Sequence, residues 1–231
     1  MGKYKARIHY QDPRIVEGYE EKRFSGLSGW LRVHLERRAV AKALRRLGKG
    51  STILDLPCGT GRFASLLWER ADRLVEADIS LEMIQFARKR TNLERGILGF
   101  VRCDAEALPF RDGAFDCVLC FRFLPHLPLA TRERVLRELA RVSRGGLILD
   151  YRYRYAFRSL SRWIRHRLGL AKPLRPRYSL SQICEEVERA GLSLRKWISV
   201  VWLFSEKLIL LCERPKGAGG TGRSASPPPP G

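Results

Sequence analysis

The 231-residue sequence predicts an α/β fold in which helices cover both faces of a parallel sheet. Between residues 51 and 151, short apolar runs such as STILDL and FDCVLCF alternate with helix-periodic stretches such as SLEMIQFARKR. This alternation is typical of parallel strands joined by crossover helices. Near the C-terminus, LSLRKWISVVWLF and KLILLCER are separated by only two residues, which predicts a closely connected antiparallel strand pair.

Local signals place individual helices. Ahead of the sheet, apolar residues share one helical face, which we expect to pack against the domain: Leu31, Leu35, Ala39, Val40, Ala43, Leu44 and Leu47. Thr131 is expected to cap a later helix, and Ser179 and Gln182 have the spacing of a capping box. The helix that follows this box carries three acidic residues that we expect to form ordinary solvent-exposed surface: Glu185, Glu186 and Glu188.

The composition is that of a globular protein, with 45% hydrophobic and 29% charged residues, and it excludes a wholly disordered or fibrous chain. The six scattered cysteines indicate reduced thiols in an intracellular protein. Cys117 and Cys120 have CxxC spacing, but their odd separation in an extended run points them to opposite faces, so we expect packing and no metal. Without a secretory signal or a membrane span, the sequence predicts a cytoplasmic protein.

The first of the predicted strands ends in a glycine turn, ILDLPCGTGRF, which contains Asp55, Gly59 and Gly61 and leads into a helix. Glycines at this position let the backbone approach a ligand, and the N-terminus of the helix offers free N–H groups. Asp78 follows 19 residues after Gly59 at the end of LVEAD, where an acidic residue can bind ribose hydroxyls. Ala64 stands where the dinucleotide fingerprint has its third glycine, so a pyrophosphate is not the expected ligand.

These residues resemble a known family, the class I S-adenosylmethionine-dependent methyltransferases, and in particular the type 11 group that is similar to ubiquinone and menaquinone C-methyltransferases. The resemblance covers about residues 10–215 and is most specific in ILDLPCGTG, EADIS, RCDAEALPF and FDCVLCFRFLPHL. It implies a Rossmann-like three-layer αβα sandwich, with a mostly parallel seven-stranded sheet and an antiparallel C-terminal strand. The implied cofactor is S-adenosyl-L-methionine.

The resemblance also implies which residues contact the methionine part of the cofactor. Asp55 would reach the amino group, and Gly59 and Gly61 would cradle the chain beside it. The backbone near Phe121 would close over the same end of the cofactor. Pro57 stands where many family members have glycine, and we expect the loop to tolerate it unless that position needs a positive φ.

At the adenosine part, the resemblance implies that Asp78 holds the ribose and that Ile79 packs on the adenine. Asp104 would accept a hydrogen bond from the adenine amino group, with Ala105 beside it. An N-terminal lid would fold over the cofactor, and the residues in this chain that resemble it are Tyr19 and Arg23.

The implied domain layout is an N-terminal helical lid over residues 1–49, a methyltransferase domain over 50–214 and a disordered tail over 215–231. The net charge of +20 is concentrated outside the sheet: residues 1–49 hold 13 basic and five acidic residues, and a helical insertion at 152–177 holds nine basic and no acidic residues. Such segments attract anionic partners. We expect the insertion to bind substrate through Arg154, Arg158, Arg162 and Arg165.

The acceptor side offers one candidate catalytic residue, His126, which follows a predicted strand and could serve as a general base or satisfy a local turn. We expect methyl transfer to a small or lipid-linked anionic acceptor, with peripheral contact to a membrane. One alternative is an RNA methyltransferase that uses the same arginines on phosphates, and another is an inactive cofactor-binding regulatory protein. The sequence leaves open the acceptor, the methylated atom (O, N or C) and the oligomeric state.

Overall fold

The computed structural model describes residues 26–46, 51–90, 97–153, 167–168, 177–200 and 207–215. These residues form a seven-stranded sheet with helices on both faces, which confirms the predicted sandwich. The strands are β1 (Ser51–Asp55), β2 (Ala71–Asp78), β3 (Ile97–Arg102), β4 (Phe115–Cys120), β5 (Ser143–Arg152), β6 (Ser193–Ser199) and β7 (Lys207–Glu213). The helices are α1 (Gly26–Leu44), α2 (Ala64–Trp68), α3 (Leu81–Arg90), a 3₁₀ helix (Leu124–His126), α4 (Leu129–Val142) and α5 (Leu180–Arg189).

The sheet has the strand order β3-β2-β1-β4-β5-β7-β6. The first five strands pair in parallel, whereas β7 runs antiparallel to both β5 and β6, as the sequence predicts. The chain winds outward from β1 in one direction through β2 and β3, and then in the other direction through β4 and β5. Ligands of such sheets bind outside the carboxyl ends of the strands at this point of reversal.

Each face of the sheet is covered by its own apolar core. On one face, residues such as Val135 and Leu139 of α4 and Ile183 of α5 pack against the strands. On the other face, α1 and α2 cover the strands through residues such as Val40 and Leu67. Because side chains alternate along β4, Cys117 belongs to one core and Cys120 to the other, and this confirms that the two thiols point apart.

Of three helical signals in the sequence, the structure confirms one and contradicts two. Ser179 and Gln182 form the predicted capping box at the start of α5. Thr131 does not cap α4, because the helix already begins at Leu129 after Pro128, whose φ of −57° suits a helix start. The apolar pattern predicts Leu31 on the packed face of α1, but this residue is 48% exposed.

Glu186 is also not the surface residue that its acidic neighbours suggest. Its side chain is 2% exposed and forms an ion pair with the equally buried Arg132 of α4. The same guanidinium donates to the Leu127 carbonyl at 3.2 Å and to the Tyr178 hydroxyl at 2.7 Å. Burying two charges is unfavourable unless they are paired and hydrogen-bonded, and here both conditions hold. The pair therefore joins α4 to α5 inside the core.

We expect Glu186→Gln to lower the free energy of unfolding by about 3 kcal/mol, because the Arg132 guanidinium then stays buried without its counter-charge. The matched control is Glu185→Gln at an exposed position of the same helix, for which the expected change is within about 0.5 kcal/mol. Urea denaturation measures both values. Equal small changes in the two variants would show that the buried pair adds nothing to stability.

Candidate functional site

The turn after β1 has the backbone geometry that its glycines predict. Gly59 and Gly61 have φ values of +54° and +68°, a region that favours glycine. A Cβ at Gly61 would lie 3.2 Å from the Ala87 Cβ and 3.3 Å from Glu76 Oε2, so the turn also needs glycine for close approach. Pro57 does not have a positive φ, and the Cys58 N–H donates to the Ala77 carbonyl at 2.8 Å. The turn is therefore held against the end of β2.

Asp78 ends β2 beside this turn and accepts two backbone hydrogen bonds. Its Oδ2 accepts from the Gly59 N–H, and its Oδ1 accepts from the Ser80 N–H, both at 3.0 Å. Burial raises the pKa of Asp78 to about 6, and the backbone N–H donors, those of Ser80 and Gly59 most strongly, oppose that rise. The carboxylate is thus oriented by the backbone at the wall of a pocket.

This pocket opens where β1, β2 and β4 end, and the loop after β3 also contributes to it. Six of the residues predicted from the sequence line it: Gly59, Asp78, Ile79, Ala105, Phe121 and His126. Asp55, Gly61 and Asp104 do not line it, although Leu56, Cys103 and Ala105 beside them in the chain do. Residues Tyr19, Arg23, Arg154, Arg158, Arg162 and Arg165 lie outside the described residues.

Two buried carboxylates lie side by side behind the glycine turn. Asp55 and Glu76 are direct partners in the parallel β1–β2 register, and each is at most 1% exposed. Their oxygens have no hydrogen-bond partner among the described residues. Burial, followed by the charges of Glu76 and Asp78, raises the pKa of Asp55 well above its ordinary value, and burial raises the pKa of Glu76 to about 7. This region therefore favours a cationic neighbour or bound protons.

Glu76 is a site residue that the sequence reasoning missed. The available signal was an acidic residue in the middle of LVEAD, a strand that the sheet buries on both faces. A carboxylate in such a run indicates a functional role, because an unpaired buried charge is unfavourable and would otherwise not be kept there. Asp55, which lies opposite Glu76 in the strand register, is predicted from the sequence because it belongs to the glycine turn.

Two arginines that the sequence patterns do not predict also lie at the pocket. Arg62 and Arg122 line it, and Arg122 has a φ of +61°, which is uncommon for a residue with a side chain. The Arg122 Nη2 donates to both oxygens of Glu36 on α1, at 2.9 and 2.8 Å, and Lys207 Nζ donates to Glu36 at 2.9 Å. Although burial opposes the effect, the charges of Lys207 and Arg122 lower the pKa of Glu36. Glu36 was detectable as the one acidic residue on the predicted apolar face of the helix.

The pocket fits S-adenosylmethionine by the chemistry of its walls. The cofactor needs acceptors for ribose hydroxyls, apolar surface for adenine, and opposite charges for its amino and carboxyl groups. Asp78 supplies an oriented carboxylate, and Ile79 and Met83 supply apolar wall. Arg62 and Arg122 bring positive charge to the same pocket, while the unpaired carboxylate of Asp55 lies behind it. This separation of charge suits a zwitterionic amino-acid group.

The residues that line the pocket all lie within a segment that matches a known protein family. Residues 54–149 match the family model described as methyltransferase domain. Over 113 residues, the chain is 42% identical to the demethylmenaquinone methyltransferase of Thermus thermophilus, a match that covers 48% of this chain and 49% of the relative. Over 122 residues, it is 34% identical to the ubiquinone/menaquinone biosynthesis C-methyltransferase UbiE of Xylella fastidiosa, covering 50% and 47%. The chain thus spans about half the length of the curated relatives that it matches.

A solved structure is similar in fold over most of the chain. Magnesium protoporphyrin IX methyltransferase from Synechocystis, crystallised with S-adenosylhomocysteine, superposes with a TM-score of 0.73 at 18% identity, over 90% of this chain and 98% of that one. Fold, matched segment and relatives together define a class I S-adenosylmethionine-dependent methyltransferase domain. Within that class, the matched segment is similar to the methyltransferase type 11 group, which supports the resemblance seen in the sequence motifs.

Among the residues that the structure describes, no three or more His, Cys, Asp or Glu side chains are arranged to hold a metal ion. Within the same ranges, no helix is both long enough and apolar enough to cross a bilayer.

Removing the Glu76 carboxylate should change how stability depends on pH. Its pKa is higher in the folded chain than in the unfolded one, so the folded protein loses stability as pH rises from about 4.5 to about 7. We expect Glu76→Gln to become more stable relative to wild type across this window, by on the order of 2 kcal/mol. Thermal unfolding without cofactor at pH 5 and pH 8 measures the difference, with the exposed Glu69→Gln as control. A difference that is constant with pH would contradict the unpaired state of Glu76.

Asp78→Ala should weaken S-adenosylmethionine binding more than tenfold, because it removes the carboxylate that we expect to hold the ribose and leaves the Gly59 N–H without its acceptor. Isothermal calorimetry measures the dissociation constant. The matched control is Asp72→Ala, at an exposed position of the same strand, with unchanged affinity expected. Unchanged affinity in Asp78→Ala, with a normal melting temperature, would remove the ribose assignment.

Proposed function

We propose that this protein transfers the methyl group of S-adenosylmethionine to a small quinone-type ring, either free or linked to a lipid. The observation that carries the proposal is the convergence of residues from four strand ends on one pocket that fits the cofactor, within the segment that matches the methyltransferase family. The relatives named above act on quinone precursors by their printed names, which supports an acceptor of this class. We also propose the domain layout predicted from the sequence.

In this proposal, the cofactor-binding half of the pocket acts mainly by positioning. S-adenosylmethionine, when bound, supplies a methyl group that is already activated on a sulfonium. Asp78 would hold the ribose, and Ile79 would support the adenine. The Asp55 carboxylate would attract the amino group, while Arg62 and Arg122 would attract the carboxylate. Holding both reactants in line and excluding water accounts for most of the rate acceleration that such a reaction needs.

The acceptor side of the pocket carries aromatic and ionisable groups. Phe123 and His126 line the pocket next to Phe121. His126 lies at the end of the 3₁₀ helix, where its backbone N–H donates to the Phe123 carbonyl at 2.9 Å. An aromatic wall suits a flat ring. As the methyl group moves to a ring carbon or oxygen, the acceptor must lose one proton, and the His126 imidazole would accept it. Because the methyl donor carries a positive charge, removal of one proton from the acceptor by His126 would conserve charge.

The competing functions predicted from the sequence become outcomes of a single experiment. The purified chain is incubated with methyl-labelled S-adenosylmethionine and either a reduced demethylated quinone or total RNA. Label in the organic extract supports the proposal, whereas label only in RNA would overturn it. Cofactor binding without label in either fraction, or in a wider panel of small phenols, would identify an inactive binding protein. The basic segment 152–177, including Arg154, Arg158, Arg162 and Arg165, remains the proposed acceptor-side element.

We expect His126→Ala to lower turnover of the quinone acceptor by about 10²-fold or more, because the proton must then pass to water. The dissociation constant for S-adenosylmethionine should change less than threefold, since that residue is assigned to the acceptor. Single-turnover rates at saturating S-adenosylmethionine measure the chemical step in both proteins. Equal rates in both proteins would leave His126 with a purely structural role at its turn.

A further inference from the structure

The outer face of α1 carries an apolar patch formed by Leu27, Trp30 and Leu31. Their side chains are 81%, 60% and 48% exposed. Spacings of three and four residues put them on one side of the helix, and the rings of Trp30 and His34 stack with centroids 5.4 Å apart. Large apolar side chains that are contiguous and exposed indicate a contact surface rather than a random surface feature.

The patch is not the packed side of the helix. The residues that α1 buries are Glu36, Ala39, Val40, Ala43 and Leu44, and they occupy the opposite side at a helical period of 3.6 residues. Those residues already cover the sheet. Packing inside the described part of the domain therefore does not explain why the outer face is apolar.

The same outer face becomes basic toward the C-terminal end of the helix. Arg38, Lys42 and Arg45 lie four, then three residues apart, in line with Leu27 and Leu31, and all three are exposed. The one acidic residue of α1 is Glu36, which points inward and is buried against Arg122 and Lys207. Across residues 26–46, the exposed charges are consequently all positive.

An apolar stretch followed along one helical face by basic residues matches the chemistry of an anionic lipid surface. Leucine and tryptophan side chains enter the boundary between headgroups and acyl chains, while arginine and lysine contact the phosphates. Each basic residue near such a surface strengthens binding to anionic lipid. A nucleic acid would use the basic half but not the leucines, and the charge pattern does not suit a second copy of this basic chain.

We propose that the outer face of α1 docks this protein onto anionic membrane lipid. The helix would lie in the plane of the interface, with Leu27, Trp30 and Leu31 inserted and Arg38, Lys42 and Arg45 on the headgroups. This surface does not depend on the proposed methyl transfer. It goes beyond that function because it assigns a docking element outside the cofactor pocket.

Sedimentation of the full chain with vesicles tests the surface. Phosphatidylcholine vesicles containing phosphatidylglycerol should bind the protein, and phosphatidylcholine alone should bind at least tenfold more weakly. The double variant Leu27→Gln/Leu31→Gln should lose at least tenfold in partitioning, and Arg38→Gln/Lys42→Gln/Arg45→Gln should show a smaller dependence of binding on salt than wild type. The matched control is Leu129→Gln, a leucine on α4 that is 50% exposed, with no change expected.

A second readout reports contact directly. Brominated lipid should quench tryptophan fluorescence in wild type, and Trp30→Phe should reduce that quenching while keeping the binding. Equal binding to neutral vesicles, an unchanged double-leucine variant, or a dimer that the double-leucine variant dissociates would each overturn the proposal. Calorimetry of S-adenosylmethionine binding to the same variants should be unchanged, so a failure of docking is separable from a failure of the methyltransferase assignment.

Discussion

The parallel pairing of β1 with both β2 and β4 is the constraint on which the site depends. Because all three strands run in one direction, their carboxyl ends and the loops that follow them lie at a single edge of the sheet. Leu56, Asp78 and Phe121 come from separate parts of the chain and line one pocket only for this reason. The close approach of the turn at Gly61 to Ala87 and Glu76 then holds the loop over the strand ends.

Charge is separated across this edge. Asp55 and Glu76 form an acidic region behind the turn, which becomes negative when a cationic group replaces its protons, whereas Arg62 and Arg122 bring positive charge to the pocket. Fixed charges of this kind attract a ligand that carries both signs, and they do so strongly where water is scarce. The arrangement makes the folded chain less stable than an apolar one would be, as is common where a site is pre-organised for a ligand.

Helix α1 connects the pocket to the outside of the molecule. Its inward face places Glu36 between Arg122 and Lys207, and Lys207 in turn lies 4.6 Å from the centre of the Phe121 ring. Its outward face carries the apolar and basic residues assigned above to lipid. One helix therefore contributes to the charge arrangement of the pocket and to the proposed docking surface, so events at the surface have a short physical route to the site.

Local pattern by itself determined the alternation of strands and helices, the glycine turn, Asp78 and the capping box at Ser179, because each depends on residues near one another in sequence. Six site residues, predicted partly from this pattern and partly from the family resemblance, line the pocket. Tertiary structure alone decided that Glu186 is buried, because its partner Arg132 is 54 residues away, and that Leu31 faces outward. Burial depends on which elements meet, and that information is spread over the whole chain rather than present in any one segment.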